Sequence, residues 1–114
     1  MSEIPLVVFI DVDDTLIRTV GSKRIPIVDT IAHVKKLKAQ GAQLHCWSAG
    51  GAIYAEEVAT QLGLRDCFAG YLPKPHVMID DQAAAEWGRT IHILPGNCSS
   101  HDVVSYRQAL ERAR

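Results

Sequence analysis

The stretch Leu6-Val7-Val8-Phe9-Ile10-Asp11-Val12-Asp13-Asp14-Thr15 decides the fold of this chain. Its first half, residues 6–10, is an unbroken apolar run rich in β-branched side chains, which is typical of a strand buried on both faces of a parallel sheet. Carboxylates follow directly, and open α/β sheets bind ligands at the carboxyl ends of their strands. The stretch therefore predicts a central strand that carries acidic side chains to a functional edge.

The rest of the chain alternates helices and strands. Apolar residues at helical spacing predict helices over 27–40 and 55–62, each followed by a glycine that ends it. A last helix is expected to begin after Ser99 or Ser100 and to bury Val103, Tyr106, Leu110 and Ala113. Apolar runs predict further strands over 42–47, 68–72, 76–79 and 90–94. This alternation predicts a doubly wound, Rossmann-like α/β fold in three layers, with a central parallel sheet of about five strands.

Length and composition limit the classes of protein that fit. A chain of 114 residues, 47% hydrophobic and 22% charged, predicts one domain over 1–114. The net charge of -1 argues against general nucleic-acid binding. An acid near the N-terminus argues against a signal peptide, and no apolar stretch reaches the roughly 20 residues that cross a bilayer, so no membrane partner is expected. The three cysteines have neither disulfide nor zinc spacing, which favours reduced thiols in a cytoplasmic protein.

Two acids after the first strand are candidate metal ligands. In a partly extended chain Asp11 and Asp13 lie on the same side, with Val12 turned away. Two close carboxylates repel each other, and a cation relieves that repulsion. Because the available ligands are all oxygens, a hard ion such as Mg²⁺ is favoured over zinc or copper.

Polar groups also follow the later strands. A hydroxyl and a flexible turn lead into the second helix, where free backbone amides can hold an anion. An ammonium precedes the 76–79 strand, and two carboxylates end it. These residues are Ser48, Ala49 and Gly50, then Lys74, then Asp80 and Asp81. Together with the acids of the first strand they form a complete set for phosphoryl transfer through a carboxylate nucleophile.

Four segments in chain order resemble the motifs of the haloacid dehalogenase superfamily. They are residues 9–16 with the pattern DxDxT, Cys46-Trp47-Ser48, Lys74, and residues 77–81. The resemblance implies a Mg²⁺-dependent phosphatase, a phosphomonoester hydrolase that works through an aspartyl-phosphate intermediate. It implies that Asp11 is the nucleophile and Asp13 the general acid and base.

The same resemblance implies the metal site. Mg²⁺ is expected on Asp11, on the backbone carbonyl of Asp13 and on one acid of the Asp80-Asp81 pair. We favour Asp81 as the direct ligand and Asp80 as the partner of Lys74 or of a metal-bound water. Ser48, Ala49, Gly50 and Lys74 are expected to bind the phosphoryl group.

The spacing between the motifs leaves no room for a cap domain. The first helix and second strand use most of the chain between Thr15 and Ser48, and one helix and one strand fill the interval to Lys74. An open site of this kind is associated in the superfamily with bulky or macromolecular phosphorylated substrates, or with a neighbouring subunit of a homo-oligomer as the lid. A small phosphorylated molecule stays possible, and the physiological substrate is left open.

Two other functions are consistent with such a chain. A receiver domain of a signalling relay also combines acids, a hydroxyl, a lysine and Mg²⁺, but its phosphorylated aspartate lies on the third strand. A catalytically silent Mg²⁺-binding relative is the other alternative.

Several neighbouring residues have a plain structural interpretation. Arg18, Lys23 and Arg24 are expected in a solvated loop, although they are close enough to meet a second anionic group of a substrate. Trp47 is expected to pack in the core. The histidines, which show no metal spacing, are expected on the surface or in strands; they are His33, His45, His76, His92 and His101.

Overall fold

The structure, a computed structural model, describes residues 4–112. The strands in this range are β1 (Val7–Asp11), β2 (Ile17–Val20), β3 (Lys23–Pro26), β4 (Gln43–Ser48) and β5 (Gly70–Pro73). The helices are α1 (Val28–Ala39), α2 (Ala52–Gln61) and α3 (Val103–Arg112), with short 3₁₀ turns at Arg65–Cys67, Ala84–Glu86 and Pro95–Ser100. Within 4–112 no helix has the length and apolar character needed to span a membrane.

Strands β1, β4 and β5 form a parallel sheet with β4 in the middle. The register places Asp11 beside Trp47 and Ser48 beside Pro73. Helix α1 lies in the connection from β1 to β4, and α2 in the connection from β4 to β5, so the predicted alternation of these strands and helices is confirmed. Strand β1 is an outer strand of the described sheet, not the central one that was predicted. Because the strands run parallel, their carboxyl ends meet at one edge of the sheet.

The described helices cover one face of this sheet. Strand residues Ile10, Leu44 and Cys46 are buried in a core shared with α1 and α2. From the helices this core takes Val34, Leu37, Ala55, Val58 and Ala59. Strand side chains alternate between faces. On the opposite face Val7, Phe9 and Leu72 remain exposed. The described part of the chain therefore has two layers, the parallel sheet and the helices that cover one of its faces.

The strands predicted over 76–79 and 90–94 do not form in the structure. Both segments lack regular structure, and the side chain of Ile79 is 99% exposed. A short apolar run becomes a strand only where a neighbouring strand and a covering layer bury it, which its sequence cannot specify alone. The described residues thus form a small α/β domain with a three-stranded parallel sheet, and the prediction of about five strands in a doubly wound, three-layer fold is not confirmed.

Strands β2 and β3 form an antiparallel hairpin where a solvated loop was expected. Ile17 pairs with Pro26, and Val20 pairs with Lys23 across a two-residue turn. Gly21 opens that turn with φ of 61°, a left-handed conformation that glycine adopts without strain. The sequence signal for the hairpin is this Gly-Ser pair between two short runs of mixed polarity.

Helix α3 begins later than the sequence predicted. Ser99 and Ser100 lie in the preceding 3₁₀ turn. The cap is Asp102, whose Oδ1 accepts a hydrogen bond from the Ser105 amide at 2.8 Å, while Ser105 Oγ accepts one from the Asp102 amide at 2.9 Å. This reciprocal pair is a capping box, and the amide of Ser105 is the main cause of the lowered pKa of Asp102. Ala113 lies outside the described residues.

A buried hydrogen bond joins α3 to α1. His33 Nε2 lies 2.7 Å from Tyr106 Oη, and both residues are buried. His101 stacks on the Tyr106 ring with 5.2 Å between ring centroids. The prediction that His33 lies on the surface or in a strand is therefore wrong; the residue belongs to the interface between the two helices.

Candidate functional site

Asp11 and Lys74 form an ion pair at the carboxyl edge of the parallel sheet. Asp11 ends β1, and Lys74 follows β5 directly, with β4 lying between the two strands. Lys74 Nζ lies 3.2 Å from Asp11 Oδ1, and the side chains are 39% and 30% exposed. Thr15 Oγ1 donates to the other oxygen, Oδ2, at 3.3 Å. Two of the residues predicted for the site are thus brought together within reach of solvent.

The backbone and one aromatic ring hold Lys74 in place. Its amide donates to the Ser48 carbonyl at 2.9 Å, which continues the pairing of β5 with β4 for one residue. The ammonium lies 5.7 Å from the centre of the Trp47 ring, within the range of a cation–π contact. Trp47 is only half-buried and meets the edge of Phe9 on the open face of the sheet, so the expectation that it packs in the core is wrong.

Ser48 is fully buried and shapes the turn between β4 and α2. Its Oγ accepts a hydrogen bond from the Gly50 amide at 2.9 Å, and its carbonyl accepts one from Gly51 at 3.1 Å. Gly51 has φ of 105°, which only glycine adopts readily. Within 4–112 the Ala49 amide donates no hydrogen bond to another protein group. Of the turn residues predicted to bind phosphate, Ala49 is therefore the one with an unused donor.

Asp13 lies in a tight loop after β1. The Val12 carbonyl accepts hydrogen bonds from the amides of Thr15, Leu16 and Ile17, and Val12 itself is fully buried. This winding turns the neighbouring Asp13 side chain outward, where Tyr54 Oη donates to its Oδ1 at 2.8 Å. Asp14 completes the loop in the left-handed region with φ of 60°.

Tyr54 is a member of the site that sequence reasoning missed. It lies in the first turn of α2, and burial, followed by the hydrogen bond to Asp13, raises the pKa of its hydroxyl. Arg24 of the hairpin lies over its ring at 5.3 Å and donates to Glu57 at 3.2 Å and Gln61 at 2.8 Å. Arg24 is therefore engaged with α2, although its side chain stays partly exposed to solvent. No sequence pattern links these residues, because they come from separate elements.

Cys46 lies in β4 close to Asp11 but is unsuited to nucleophilic chemistry. The residue is fully buried in the middle strand. Burial raises the pKa of its thiol to about 12, and the charge of Asp11 adds to that effect. A thiol protonated at neutral pH is a poor nucleophile, so the exposed carboxylate of Asp11 is the better one here.

The structure does not bring Asp80 and Asp81 to the other acids. Both side chains are exposed, and Asp80 Oδ1 accepts a hydrogen bond from the Gln82 amide at 2.9 Å, which is a local turn contact. Among the described residues, no group of three or more His, Cys, Asp or Glu side chains is placed to hold a metal ion. Asp11 and Asp13 offer the oxygen donors that suit Mg²⁺. The oxygen donors at this site therefore suit Mg²⁺, but the described residues do not place a third acid, Asp80 or Asp81, beside them.

Comparison with known proteins supports the fold alone. No family model matches the sequence, and no curated protein matches it. The chain is similar to the crystal structure of a structural-genomics target from Vibrio cholerae. That likeness has a TM-score of 0.52 at 17% identity and covers 96% of this chain and 99% of the other. An identity this low carries no functional conclusion.

Proposed function

We propose that this protein is a Mg²⁺-dependent phosphomonoesterase that forms an acyl phosphate on Asp11. The observation that carries the proposal is the partly exposed Asp11–Lys74 ion pair, because a solvent-accessible carboxylate beside an ammonium is suited to attack a phosphoryl group and to neutralise its charge. Asp13 lies two residues further on the same loop. These are the groups that a carboxylate-based phosphoryl transfer requires.

In the first step an Asp11 carboxylate oxygen attacks phosphorus, and a new oxygen–phosphorus bond forms as the bond to the leaving oxygen breaks. Asp13, protonated at this stage, gives its proton to the leaving oxygen, so the products are an alcohol and phosphorylated Asp11. Lys74 turns from its ion pair to the phosphoryl oxygens, whose charge it balances. The Ala49 amide, at the start of the turn into α2, donates to another of these oxygens.

In the second step water hydrolyses the acyl phosphate. Asp13 is now a carboxylate and takes a proton from the attacking water, whose oxygen forms the new bond to phosphorus. The bond between phosphorus and the Asp11 oxygen breaks, which releases inorganic phosphate and restores the carboxylate. Asp13 is again protonated, ready for the next turnover, so the cycle consumes only ester and water.

Asp11, the Asp13 carbonyl and Asp81 would hold Mg²⁺, which would supply positive charge to the phosphoryl oxygens. The sequence predicts a strand over 76–79, and Asp81 reaches the site if this strand pairs with the free edge of β1. Two observations support such docking: β4 is the sole partner of β1 among the described strands, and Val77 and Ile79 are exposed apolar residues, as are Val7 and Phe9 of β1. Unpaired strand edges and exposed apolar side chains are both normally covered.

A non-catalytic role is the second candidate function. It is favoured by one observation: within residues 4–112, neither Asp80 nor Asp81 belongs to a group of three or more His, Cys, Asp or Glu side chains that could hold a metal ion. In that case the chain binds Mg²⁺ weakly, or a partner, without turnover.

Steady-state hydrolysis of p-nitrophenyl phosphate tests the proposal. We expect turnover that stops with chelator, returns with Mg²⁺ and is abolished in Asp11→Asn, whose amide is a poor nucleophile of similar shape. Asp66→Asn, the same change at an exposed acid outside the site, is the matched control and should keep full activity. Full activity of a folded Asp11→Asn protein overturns the mechanism. Stable phosphorylation by acetyl phosphate without turnover supports a receiver domain instead.

A further inference from the structure

Within residues 4–112, the Asp13 side chain has one hydrogen-bond partner, Tyr54. The phenol donates to Oδ1 at 2.8 Å, which leaves Oδ2 without a protein partner in this range. The two residues belong to different elements, since Asp13 lies in the loop after β1 and Tyr54 in α2. The exposed Asp13 side chain is thus tied at one oxygen to a rigid helix.

Two contacts hold the Tyr54 ring. A Cβ on Gly50 would lie 2.9 Å from Tyr54 Cδ2, so the ring packs against the turn after β4 in space that only glycine leaves. On another side the Arg24 guanidinium lies 5.3 Å from the ring centre. Arg24 is itself fixed by Glu57 and Gln61 of the same helix. A ring restrained in this way delivers its hydroxyl to one position.

We propose that Tyr54 is a positioning residue for proton transfer by Asp13, an inference that rests on the proposed phosphatase function. Because the phenol donates to Oδ1, that oxygen remains an acceptor in both protonation states of Asp13. The proton given to the leaving oxygen, and later taken from water, is therefore carried by Oδ2. Tyr54 also belongs to the turn and helix that hold the phosphoryl group, so it keeps the acid aligned with the phosphate.

The leaving group separates this role from a merely structural one. An alkyl phosphate leaves as a basic alkoxide and depends on a well-placed acid, whereas p-nitrophenolate leaves with little need of a proton. Loss of alignment should therefore slow the alkyl substrate selectively. A general loss of folded protein lowers turnover of both substrates by the same factor.

The experiment compares kcat and KM of Tyr54→Phe on glycerol 2-phosphate and p-nitrophenyl phosphate. We expect kcat to fall about tenfold or more on the alkyl ester and less than about threefold on the aryl ester, with KM within about twofold. Tyr71→Phe is the matched control, since it removes a phenol that donates to the Arg65 carbonyl at 2.6 Å, away from Asp13. Its ratio of alkyl to aryl turnover should equal that of the unmodified protein.

The outcomes distinguish the two proposals. An unchanged ratio in Tyr54→Phe, when Asp13→Asn does show the selective loss, overturns the positioning role and leaves the phosphatase proposal standing. If Asp13→Asn also slows both esters equally, Asp13 is not the general acid, and the positioning role of Tyr54 is wrong as well. Absence of turnover by the unmodified protein with Mg²⁺ overturns both proposals.

Discussion

Lys74 Nζ lies 3.2 Å from Asp11 Oδ1, and this contact joins the ends of the two outer strands of the parallel sheet across β4. Each side chain is about a third exposed. An ion pair of this kind contributes roughly 0–1 kcal/mol to stability, because water screens it and both side chains lose rotamer freedom. The pair matters for the chemistry of Asp11 more than for the fold.

Lys74→Met tests whether the ion pair contributes to catalysis more than to stability. The change keeps the length of the side chain and removes the ammonium, so we expect the free energy of unfolding to fall by less than about 1 kcal/mol. Turnover should fall by roughly 10²-fold or more, the usual effect of removing one charge-stabilising group from a reaction centre. Chemical denaturation and steady-state kinetics measure the two quantities. A large stability loss with unchanged kcat would contradict the assignment.

Asp13→Asn should separate the two proposed steps. Without the acid, alkyl phosphates are expected to slow by roughly 10²- to 10⁴-fold, whereas the first step survives better on p-nitrophenyl phosphate. The second step still lacks its base, so phosphorylated Asp11 should accumulate and a burst of nitrophenolate should precede a slow steady state. Rapid mixing with acid quench measures both. Equal slowing without phosphoenzyme assigns Asp13 a structural or metal-positioning role.

Gly50→Ala tests the packing of the Tyr54 ring. The new methyl group would lie 2.9 Å from Tyr54 Cδ2 and 3.3 Å from Ser48 Oγ, so the ring must move. We expect a loss of about 1–3 kcal/mol in stability, typical of overpacking, and the same selective loss of alkyl phosphate turnover as in Tyr54→Phe. Gly96→Ala, where a Cβ meets nothing within 4 Å, is the control and should change both properties little. Similar behaviour of the two variants rules out the contact.

Elements whose formation depends on residues close together in the chain could be predicted from the sequence. The apolar run before Asp11 and the helical spacing of Val34 and Leu37 each describe an element that buries one of its faces, and both elements form. The strand is nevertheless an outer one of the described sheet with Val7 and Phe9 exposed, so the prediction of a central strand buried on both faces is wrong. The positions of Asp11 and Lys74 followed from a general property of parallel sheets, whose strands end at a common edge. Their direct ion pair is the geometric result of that topology.

The rest of the site depends on contacts between separate elements. The hydrogen bond from Tyr54 to Asp13 requires a particular loop winding and helix position, neither of which leaves a pattern in the sequence. The opposite difficulty applies to residues 76–79, where the local pattern favours a strand but the side chains stay exposed. Whether such a segment pairs is decided by a tertiary contact that local sequence does not encode.

Val77→Ser tests whether that segment docks during function. Val77 is 79% exposed, so in the described arrangement its replacement should leave stability nearly unchanged. If residues 76–79 pair with β1 when Mg²⁺ binds, burial of Val77 adds roughly 1.5–3 kcal/mol to docking. The Mg²⁺ concentration for half-maximal turnover should then rise about tenfold or more. Val28→Ser, at a valine that is 73% exposed in α1, is the control; equal midpoints in both variants would rule out docking.

The contact between His33 and Tyr106 predicts loss of stability on mild acidification. Burial, followed by the charges of Lys36 and His101, lowers the pKa of His33 below its ordinary value of 6.5, so the folded state favours the neutral ring. The unfolded chain then binds the proton more readily, and stability present above pH 6.5 is lost as the pH falls towards the lower folded pKa. Thermal unfolding between pH 7.5 and 5 measures this loss. His33→Gln removes the titrating group while all other acids and bases remain, so its Tm should fall less over that interval; an equally steep fall would assign the acid sensitivity to other groups.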